Sequence, residues 1–422
     1  MDAGIQKDKI KDLIAPMAGK LSPNLSGVDR HETIGIIIAN QQPEVRSELK
    51  GVLDGLLRKM YDNEASDIDL GGPGCKGKVW YRIYGDKSPA KWSPEFTLTE
   101  TDFLLHNIMM PSQRERLLKE RNLDFSYSLE GGSDDDSFSN RFRANIYFDI
   151  EHLALNMRKI DNEIRPFKNL ELHPEVAKAL SLQYYKYGLT LVTGITGSGK
   201  SATLDTIIDA NNRTVDAHIA IIASPVELIH RPKRSVVRHR EVGRDVKSFK
   251  EGAVQSLRQD PDIIVIGELR DPETIMTTLE ITDSGHKTFG TLHTSSAMES
   301  IERILGEIPV NEQNRVRTRL ADVLTCVISQ KLVPSLDGKR ELAKEVLLVT
   351  SSVKAAIRNN NVNEIYQMLM EGGKKGMNTM EQDLKRLYDE GKISKEVAMN
   401  NANNKKRLSD LLSQDQFEHI SG

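Results

Sequence analysis

The chain has little cysteine and no strong charge of either sign. Only two of its 422 residues are cysteines, Cys75 and Cys326, and neither belongs to a CxxC pair. This scarcity argues against a disulfide framework and against a cysteine-rich zinc module. Lysine plus arginine (58) nearly balances aspartate plus glutamate (61), and the net charge of −3 gives no electrostatic reason to expect nucleic acid as a partner.

Long apolar runs are also missing from the sequence. A transmembrane helix needs about 20 consecutive apolar residues, and no run approaches that length. The first residues, Met-Asp-Ala-Gly-Ile-Gln-Lys, lack the apolar segment of a signal peptide. We therefore expect a cytoplasmic protein that associates with a membrane only through partners.

The most informative stretch that is present runs from Gly194 to Ser201 and reads Gly-Ile-Thr-Gly-Ser-Gly-Lys-Ser. It follows an apolar run at 189–193, which predicts a buried strand, and precedes a helix-forming sequence at 202–210. Strand, glycine-rich loop and helix form the context of a P-loop, in which backbone N–H groups bind phosphate, Lys200 reaches the β- and γ-phosphates and the Ser201 hydroxyl ligates Mg²⁺. We predict ATP and Mg²⁺ as cofactors. The predicted nucleotide-binding residues are Gly194, Ile195, Thr196, Gly197, Ser198, Gly199, Lys200, Ser201 and Ala202.

Further apolar segments follow the P-loop, at 217–223, 263–266 and 288–292, and they are separated by helical patterns. This alternation predicts an α/β domain with a largely parallel sheet. Glu268 stands two positions after the second of these segments, where such folds place the group that positions the attacking water or accepts its proton. A strand-end glutamate alone is more often a surface residue, but the P-loop in the same domain makes Glu268 a candidate catalytic base.

Two histidines bracket the last of these strands. His293 follows its apolar end and precedes Thr294, a position suited to sensing the γ-phosphate. His286 precedes the strand, and it is as readily a satisfied polar group as a catalytic one. No third ligand lies nearby at a spacing suited to zinc.

The sequence before the P-loop predicts an extension and a small domain. Residues 1–43 are broken by proline and glycine and predict a partly ordered extension that contains a short helix at 7–18. A helix from Pro43, two further helices and five β-like segments then predict an α+β domain of about 110 residues. The β-like segments are 66–70, 78–84, 123–129, 139–148 and 152–160. The acidic run at 134–136 is typical of a solvated turn, and we assign it no role.

The sequence after the nucleotide domain is helical by pattern. Apolar positions at helical spacing predict a helix over 311–332, and further helices are predicted at 353–359, 363–372, 380–390 and 395–403. The predicted domains are an extension at 1–43, an N-terminal domain at 44–162, a P-loop domain at 163–350 and a helical region at 351–422.

Four segments together resemble the secretion ATPase superfamily, and more narrowly the retraction motors of type IV pili, the PilT-like family. They are the P-loop, Arg240-Glu-Val-Gly-Arg-Asp245, the block from Leu257 to Asp271 and the two-histidine segment from Gly285 to Ser295. The similarity runs from about Arg46 to Ala402. Segments 65–70 and 141–145 match the family's PAS-like N-terminal domain, and 376–381 with 391–394 resembles the retraction-motor C-terminus.

This resemblance implies a RecA-like core, an N-terminal PAS-like domain and a homohexameric ring. In the family, arginines from both domains complete the nucleotide site, because guanidinium groups neutralise charge on the transferring phosphoryl oxygens. The residues that match these arginines are Arg143, Arg158, Arg240, Arg244 and Arg258. For the basic cluster from Arg231 to Arg244, a solvated loop or a nucleic-acid patch is the alternative, and we leave Arg231, Lys233 and Arg234 to solvent.

The sequence departs from the family at one functional position. The family has Glu-Asp-Pro after the second core strand, near the metal and the attacking water, whereas this chain has Ala223-Ser224-Pro225. The absence of a water-positioning carboxylate can cost ~10² to 10⁴ in rate, so an ATPase with slow turnover is one expectation. In this segment the chain resembles a type IVB secretion motor, which also has serine at the second of the three positions.

The resemblance thus implies a cytoplasmic hexameric ATPase that drives type IV pilus retraction and twitching motility, docked at the inner membrane through a pilus platform protein. Two alternatives stay open. One is a type II or type IVB secretion motor. The other is a weakly active, nucleotide-gated subunit that partners an active paralogous motor, which the missing acidic box favours.

Overall fold

The chain forms two compact units in the computed structural model, which describes residues 7–129, 140–160 and 163–418. Unit 1 comprises the chain up to residue 162 together with 224–229 and 243–245. Unit 2 comprises 163–223, 230–242 and the chain from 246 onward. The acidic run at 134–136 lies outside the described residues, and the predicted domain boundaries stay predictions.

Unit 1 contains an antiparallel sheet whose strand order is β3-β2-β1-β6-β5-β4. Each predicted β-like segment overlaps one of these strands. Strand β3 was not predicted, because its four residues, Asp-Lys-Ser-Pro, carry no apolar alternation. The strands are β1 Ala65–Gly71, β2 Trp80–Ile83, β3 Asp86–Pro89, β4 Asn122–Ser128, β5 Arg141–Asp149 and β6 His152–Lys159.

The N-terminal residues belong to the core of unit 1, so the prediction of a partly ordered extension is wrong for 7–39. Ile10, Ile14, Ile34 and Ile38 are at most 3% exposed and pack with side chains of the sheet in one apolar cluster. Pro16 lies inside the first helix instead of ending it. The helices of this unit are α1 Lys7–Ala18, α2 Gly27–Ala39, α3 Pro43–Asp62, α4 Leu98–Ile108 and α5 Pro111–Glu120.

A buried polar network also holds α2 in place. The Asp102 carboxylate of α4 accepts hydrogen bonds from Arg30 of α2 and from the backbone N–H of Leu153. His31 of α2 contacts His106 of α4 through ring nitrogens 3.0 Å apart, and burial lowers the pKa of both histidines. These partners are about 50 to 75 positions apart, so local sequence patterns could not reveal them.

Unit 2 contains a seven-stranded sheet with the order β13-β12-β7-β11-β10-β8-β9 among the described residues. All neighbouring pairs are parallel except β12 and β13, so the predicted α/β fold with a largely parallel sheet is confirmed. Apolar side chains cover the sheet in two separate clusters. The strands are β7 Gly188–Thr193, β8 His218–Ala223, β9 Val236–Glu241, β10 Ile263–Ile266, β11 Lys287–Leu292, β12 Leu324–Pro334 and β13 Arg340–Leu348.

The prediction of one helix over 311–332 is wrong. The helix ends at Val323, and the chain continues from Leu324 as strand β12. Because β12 lies inside the sheet, side chains on both of its faces are buried, and a strand with apolar residues on both faces resembles a buried helix in its spacing of apolar residues. The strands β9 and β13 were also missed, and β9 includes part of the basic cluster from Arg231 to Arg244, for which a solvated loop was one alternative.

The helices of unit 2 connect these strands and continue to the C-terminus. They are α6 Pro174–Leu180, α7 Lys200–Thr214, α8 Phe249–Ser256, α9 Pro272–Asp283, α10 Ala297–Gly306, α11 Gln313–Val323, α12 Ser351–Arg358, α13 Glu364–Glu371, α14 Met380–Asp389, α15 Lys395–Asn401 and α16 Lys405–Glu418. In the described part of the chain, no helix has both the length and the apolar character that a membrane span requires.

Candidate active site

Four predicted functional positions lie at one edge of the unit 2 sheet. The P-loop follows β7, His293 follows β11, Glu268 follows β10, and Ala223 ends β8. These four strands are adjacent and parallel, so their carboxyl ends meet at the same edge. This edge is where open α/β sheets bind their ligands.

The P-loop is shaped by close backbone approaches. A Cβ atom on Gly194 would lie 2.4 Å from Ser198 Oγ and 2.5 Å from the carbonyl oxygen of Gln330, so only glycine fits there. Gly199 adopts φ +85° and precedes the first residue of α7, Lys200. The loop therefore delivers the N-terminus of a 15-residue helix, with its free N–H groups and positive end, to the sheet edge.

Lys200, His293 and Glu268 form a contiguous polar chain. Lys200 Nζ lies 3.5 Å from His293 Nδ1, and His293 Nε2 lies 3.2 Å from Glu268 Oε1. Arg270 Nε contacts the same carboxylate oxygen at 2.7 Å. The Lys200 ammonium also donates to the carbonyl oxygens of Gly194 and Ile195, at 2.8 and 3.1 Å.

The local charges shift the pKa values of two of these groups. Burial lowers the pKa of Lys200, and the Glu268 carboxylate acts in the opposite direction. Burial and the Lys200 charge lower the pKa of His293, while Glu268 raises it and Arg270 lowers it. A neutral His293 can accept a hydrogen bond at one ring nitrogen and donate one at the other, as a link between an ammonium and a carboxylate requires.

Two residues of β12 form hydrogen bonds with the P-loop and with the last residue of β7. Gln330 Nε2 donates to the Ser198 carbonyl oxygen at 2.7 Å, and Ser329 Oγ lies 2.8 Å from Thr193 Oγ1. Thr193 also contacts Ser300 of α10. Sequence reasoning missed Ser329 and Gln330 because it placed both in a helix. It also missed Arg270, although that residue stands two positions after Glu268.

Three of the predicted residues in unit 2 lie away from the Lys200, His293 and Glu268 chain. His286 stands one residue before β11, so the strand separates it from the carboxyl edge, and its Nδ1 contacts Ser284 and the Ile281 carbonyl. Arg258 is exposed beside Gln259, whose carbonyl contacts the first residue of β8 at that same opposite edge. Arg240, near the carboxyl end of β9, donates to Gln255 at 2.7 Å.

The other three predicted arginines belong to unit 1. Arg143 on β5 and Arg158 on β6 are directly paired across the two strands, and both are exposed. Arg158 contacts Asp67 at 2.8 Å, and Arg143 lies 3.6 Å from the Glu227 carboxylate. Arg244 is exposed in segment 243–245. The roles of all five arginines and of both histidines stay predictions.

The sheet edge lacks a carboxylate at the end of β8. Ala223 is the last residue of that strand, and the Gly267 N–H donates to the carbonyl oxygen of Ile222 at 2.8 Å. A Cβ atom on Gly267 would come within 3.2 Å of the Ala223 Cα. Position 223 therefore lies against the residue that precedes Glu268, where a family member with glutamate would add a second acid.

The P-loop residues fit a nucleotide and its metal ion. The glycine cradle, the α7 N-terminus and Lys200 suit phosphate oxygens, and Ser198 Oγ is buried without a hydrogen-bond partner among the described residues. Ser201, in the first turn of α7, presents an exposed hydroxyl that suits a hard cation such as Mg²⁺. The fold and this site define a P-loop NTPase with a RecA-like core.

A family-level comparison identifies the chain more closely. The profile of the family described as "Type II/IV secretion system protein" matches residues 147–416. This chain belongs to that family. The match begins within β5 and includes every candidate residue of unit 2.

Individual relatives confirm the predicted resemblance to PilT-like secretion ATPases. The "Twitching motility protein" of Neisseria gonorrhoeae is 35% identical over 78% of this chain and 85% of its own length. The "Type IV pilus retractation ATPase PilT" of Pseudomonas aeruginosa is 38% identical over 71% of this chain and 84% of its own. A crystal structure of "the Pilus Retraction Motor PilT and Bound ADP" is similar with a TM-score of 0.74 and 35% identity, over 85% of this chain and 98% of that one.

Proposed function

We propose that this protein is an ATPase motor that couples Mg-ATP hydrolysis to type IV pilus retraction. The observation that carries the proposal is the contact chain from the P-loop Lys200 through His293 to Glu268. It joins the predicted phosphate-binding group to the predicted base through one side chain. The names of the relatives supply the biological direction, pilus retraction in twitching motility.

Each group of this contact chain and of the P-loop has a distinct role in hydrolysis. The α7 N-terminus and Lys200 bind the phosphates, and Ser201 would ligate Mg²⁺, which neutralises phosphate charge when it is bound. Glu268 takes a proton from the attacking water, whose oxygen bonds to the γ-phosphorus as the bond from that phosphorus to the bridging oxygen breaks. His293 contacts both Lys200 and Glu268, so displacement of Lys200 by a γ-phosphate changes the environment of the base.

The assembly is proposed from the family resemblance. A homohexamer would bring Arg143, Arg158, Arg240, Arg244 and Arg258 to nucleotide sites that a single chain leaves incomplete. The exposed pair of Arg143 and Arg158 provides two cations from one sheet face for such a site. The ring would be cytoplasmic and would dock at the inner membrane through a pilus platform protein.

A second candidate function rests on Ala223. Without the acidic box, the ring would bind nucleotide but turn over slowly, as a nucleotide-gated subunit beside an active paralogous motor. A type II or type IVB secretion motor is the third candidate, because such a motor uses the same core to push material outward.

Deletion of this gene from its own organism tests the direction of work. We expect pilus retraction to stop, and we expect the wild-type gene, but not Glu268→Gln, to restore it in single-pilus retraction assays. Retraction that continues unchanged while pilus assembly or protein secretion stops would contradict the proposal and favour the outward-pushing motors. Restoration by Glu268→Gln would instead favour the nucleotide-gated subunit.

A further inference from the structure

The segment that joins α15 to α16 contacts two segments that flank the candidate active site. In this segment the Asn403 side chain bridges two parts of the chain that are remote in sequence. Its Nδ2 donates to the carbonyl oxygen of Ser295 at 3.2 Å, and its Oδ1 accepts from Lys331 Nζ at 2.7 Å. One amide therefore donates to the loop after β11 and accepts from strand β12.

Each of these partners stands within two positions of a residue of the site. Ser295 stands two positions after His293, in the loop between β11 and α10. Lys331 follows Gln330, whose side chain holds the P-loop carbonyl of Ser198. The Asn403 amide thus connects the loop that carries His293 to the strand that supports the P-loop.

The segment itself is anchored on both sides of Asn403. Lys331 Nζ donates to the Asn401 carbonyl at 2.7 Å, and the Asn404 N–H donates to Glu381 Oε1 at 2.7 Å. Glu381 is fully buried at the start of α14. Because Asn403 stands between the end of α15 at Asn401 and the contact of Asn404 with α14, the position of its side chain follows the position of these helices.

The loop that carries His293 has a second attachment at its far end. The backbone N–H of Ala297, the first residue of α10, donates to Glu345 Oε1 at 2.8 Å. Thr294 contacts Ser300 of the same helix, through hydroxyl oxygens 2.7 Å apart. The carbonyl of Ser295 is therefore the point where the C-terminal segment meets this loop.

We propose that Asn403 is a positioning residue for ATP hydrolysis, through which the C-terminal helices set the placement of His293 relative to Lys200 and Glu268. The inference rests on the proposed function and adds a role for a region that carries no catalytic motif. It follows that a displacement of α15 and α16, by a partner or by motion of the ring, slows turnover without any change in the P-loop sequence.

The sharpest test compares two asparagine-to-aspartate changes that are three positions apart. Asn403→Asp keeps the oxygen that faces Lys331 but replaces the donor to Ser295 with a second oxygen, which cannot donate to a carbonyl. The matched control is Asn400→Asp, which adds the same charge at an exposed position of α15. Both variants are made in the full-length chain.

Kinetics and thermal unfolding are measured on both variants. We expect Asn403→Asp to lower kcat about three- to tenfold, the effect of one lost hydrogen bond, with a smaller change in the KM for ATP. The unfolding temperature should match that of Asn400→Asp, because Asn403 is exposed. Asn403→Gln, which retains the amide, should recover part of the loss. Equal kcat values for Asn403→Asp and Asn400→Asp would overturn the proposal.

Hydrogen–deuterium exchange separates this inference from the proposed function. We expect the peptide that covers 293–297 to exchange several-fold faster in Asn403→Asp than in Asn400→Asp, whether or not the protein hydrolyses ATP. A wild-type protein without turnover but with this difference would refute the ATPase and retain the contact. Turnover with no exchange difference and no kcat difference would retain the ATPase and refute the positioning role.

Discussion

The two halves of the sheet edge differ in their polar side chains. At the ends of β7, β11 and β10, Lys200, His293 and Glu268 contact one another, and Gln330 supports the loop from behind. At the end of β8, the chain instead presents Ala223, whose side chain can neither bind a metal nor orient water. The first half holds what phosphate binding needs, and the second lacks one group that fast hydrolysis uses.

This difference indicates that nucleotide binding and nucleotide turnover are separable in this protein. Phosphate binding depends on backbone N–H groups, the helix N-terminus and one ammonium, all of which belong to the P-loop. Water activation depends on carboxylates. At the described sheet edge, Glu268 is the carboxylate that contacts His293. Changes in the P-loop and changes in the carboxylates of this edge should therefore affect different measured quantities.

The largest effect on nucleotide binding is expected from removal of the P-loop ammonium. Lys200→Met should weaken ATP and ADP binding about 10- to 100-fold, the worth of one charge-assisted hydrogen bond to phosphate. Calorimetric titration with each nucleotide measures the change. Lys186→Met, at an exposed position before β7, is the control and should bind normally. Equal affinities for the two variants would refute the role of Lys200.

Restoration of the acidic box should act on turnover instead. Ala223→Glu with Ser224→Asp should raise kcat by about tenfold or more, because a positioned carboxylate accelerates proton transfer from water. Nucleotide affinity should change far less. The control is Ala223→Gln with Ser224→Asn, which has similar shape but no charge. If the acidic pair and the amide pair have the same kcat, the absent box does not limit this enzyme.

The folding stability of the protein should depend on pH through Glu345, on strand β13. Burial raises its pKa to about 7, and Glu381 acts in the same direction, while the Ala297 N–H and Lys331 lower it. The ordinary value is 4.5, so the folded protein holds an extra proton between about pH 4.5 and 7, and stability falls as pH rises through that window.

Glu345→Gln cannot ionise, so this fall should disappear in the variant. Its unfolding temperature relative to wild type should rise by about 2–6 °C between pH 5 and pH 8. Glu341→Gln, on the same strand, is the control. A difference between Glu345→Gln and wild type that is constant from pH 5 to pH 8 would show that Glu345 does not titrate in this range.

The smallest effect is expected from the support behind the P-loop. Gln330→Met removes the hydrogen bond to the Ser198 carbonyl but keeps the side-chain length, so nucleotide binding should weaken about three- to tenfold. Fluorescent nucleotide titration measures this change. Gln183→Met, exposed before β7, is the control. An unaltered affinity would mean that the glycine cradle holds its shape without β12.

Local chemistry explains which parts of the site could be predicted from the sequence. The P-loop is contiguous, and Glu268 and His293 each follow an apolar strand, so spacing alone placed all three at one sheet edge. His286 illustrates the limit of this reasoning, because it flanks the same strand as His293 but lies at the opposite edge. A strand has two ends, and a motif that brackets it does not bring its two histidines together.

The remaining features depend on contacts between distant segments. Gln330 and Asn403 reach the site from β12 and from beyond α15, and neither belongs to a recognisable pattern. The first helices of unit 1 are similar, because His31 and Arg30 find their partners more than 70 positions away. Polar pairs of this kind follow from the fold, and a single sequence carries no signal for them.

The central claim, that this protein hydrolyses ATP with Glu268 as its base, has one direct test. It is the Mg-ATP turnover of the purified full-length protein, measured beside Glu268→Gln at matched nucleotide occupancy. We predict that wild-type turnover exceeds that of the variant by ~10² to 10⁴, the usual contribution of a general base. Equal turnover, with nucleotide bound to both proteins, would contradict the motor and leave a nucleotide-gated subunit.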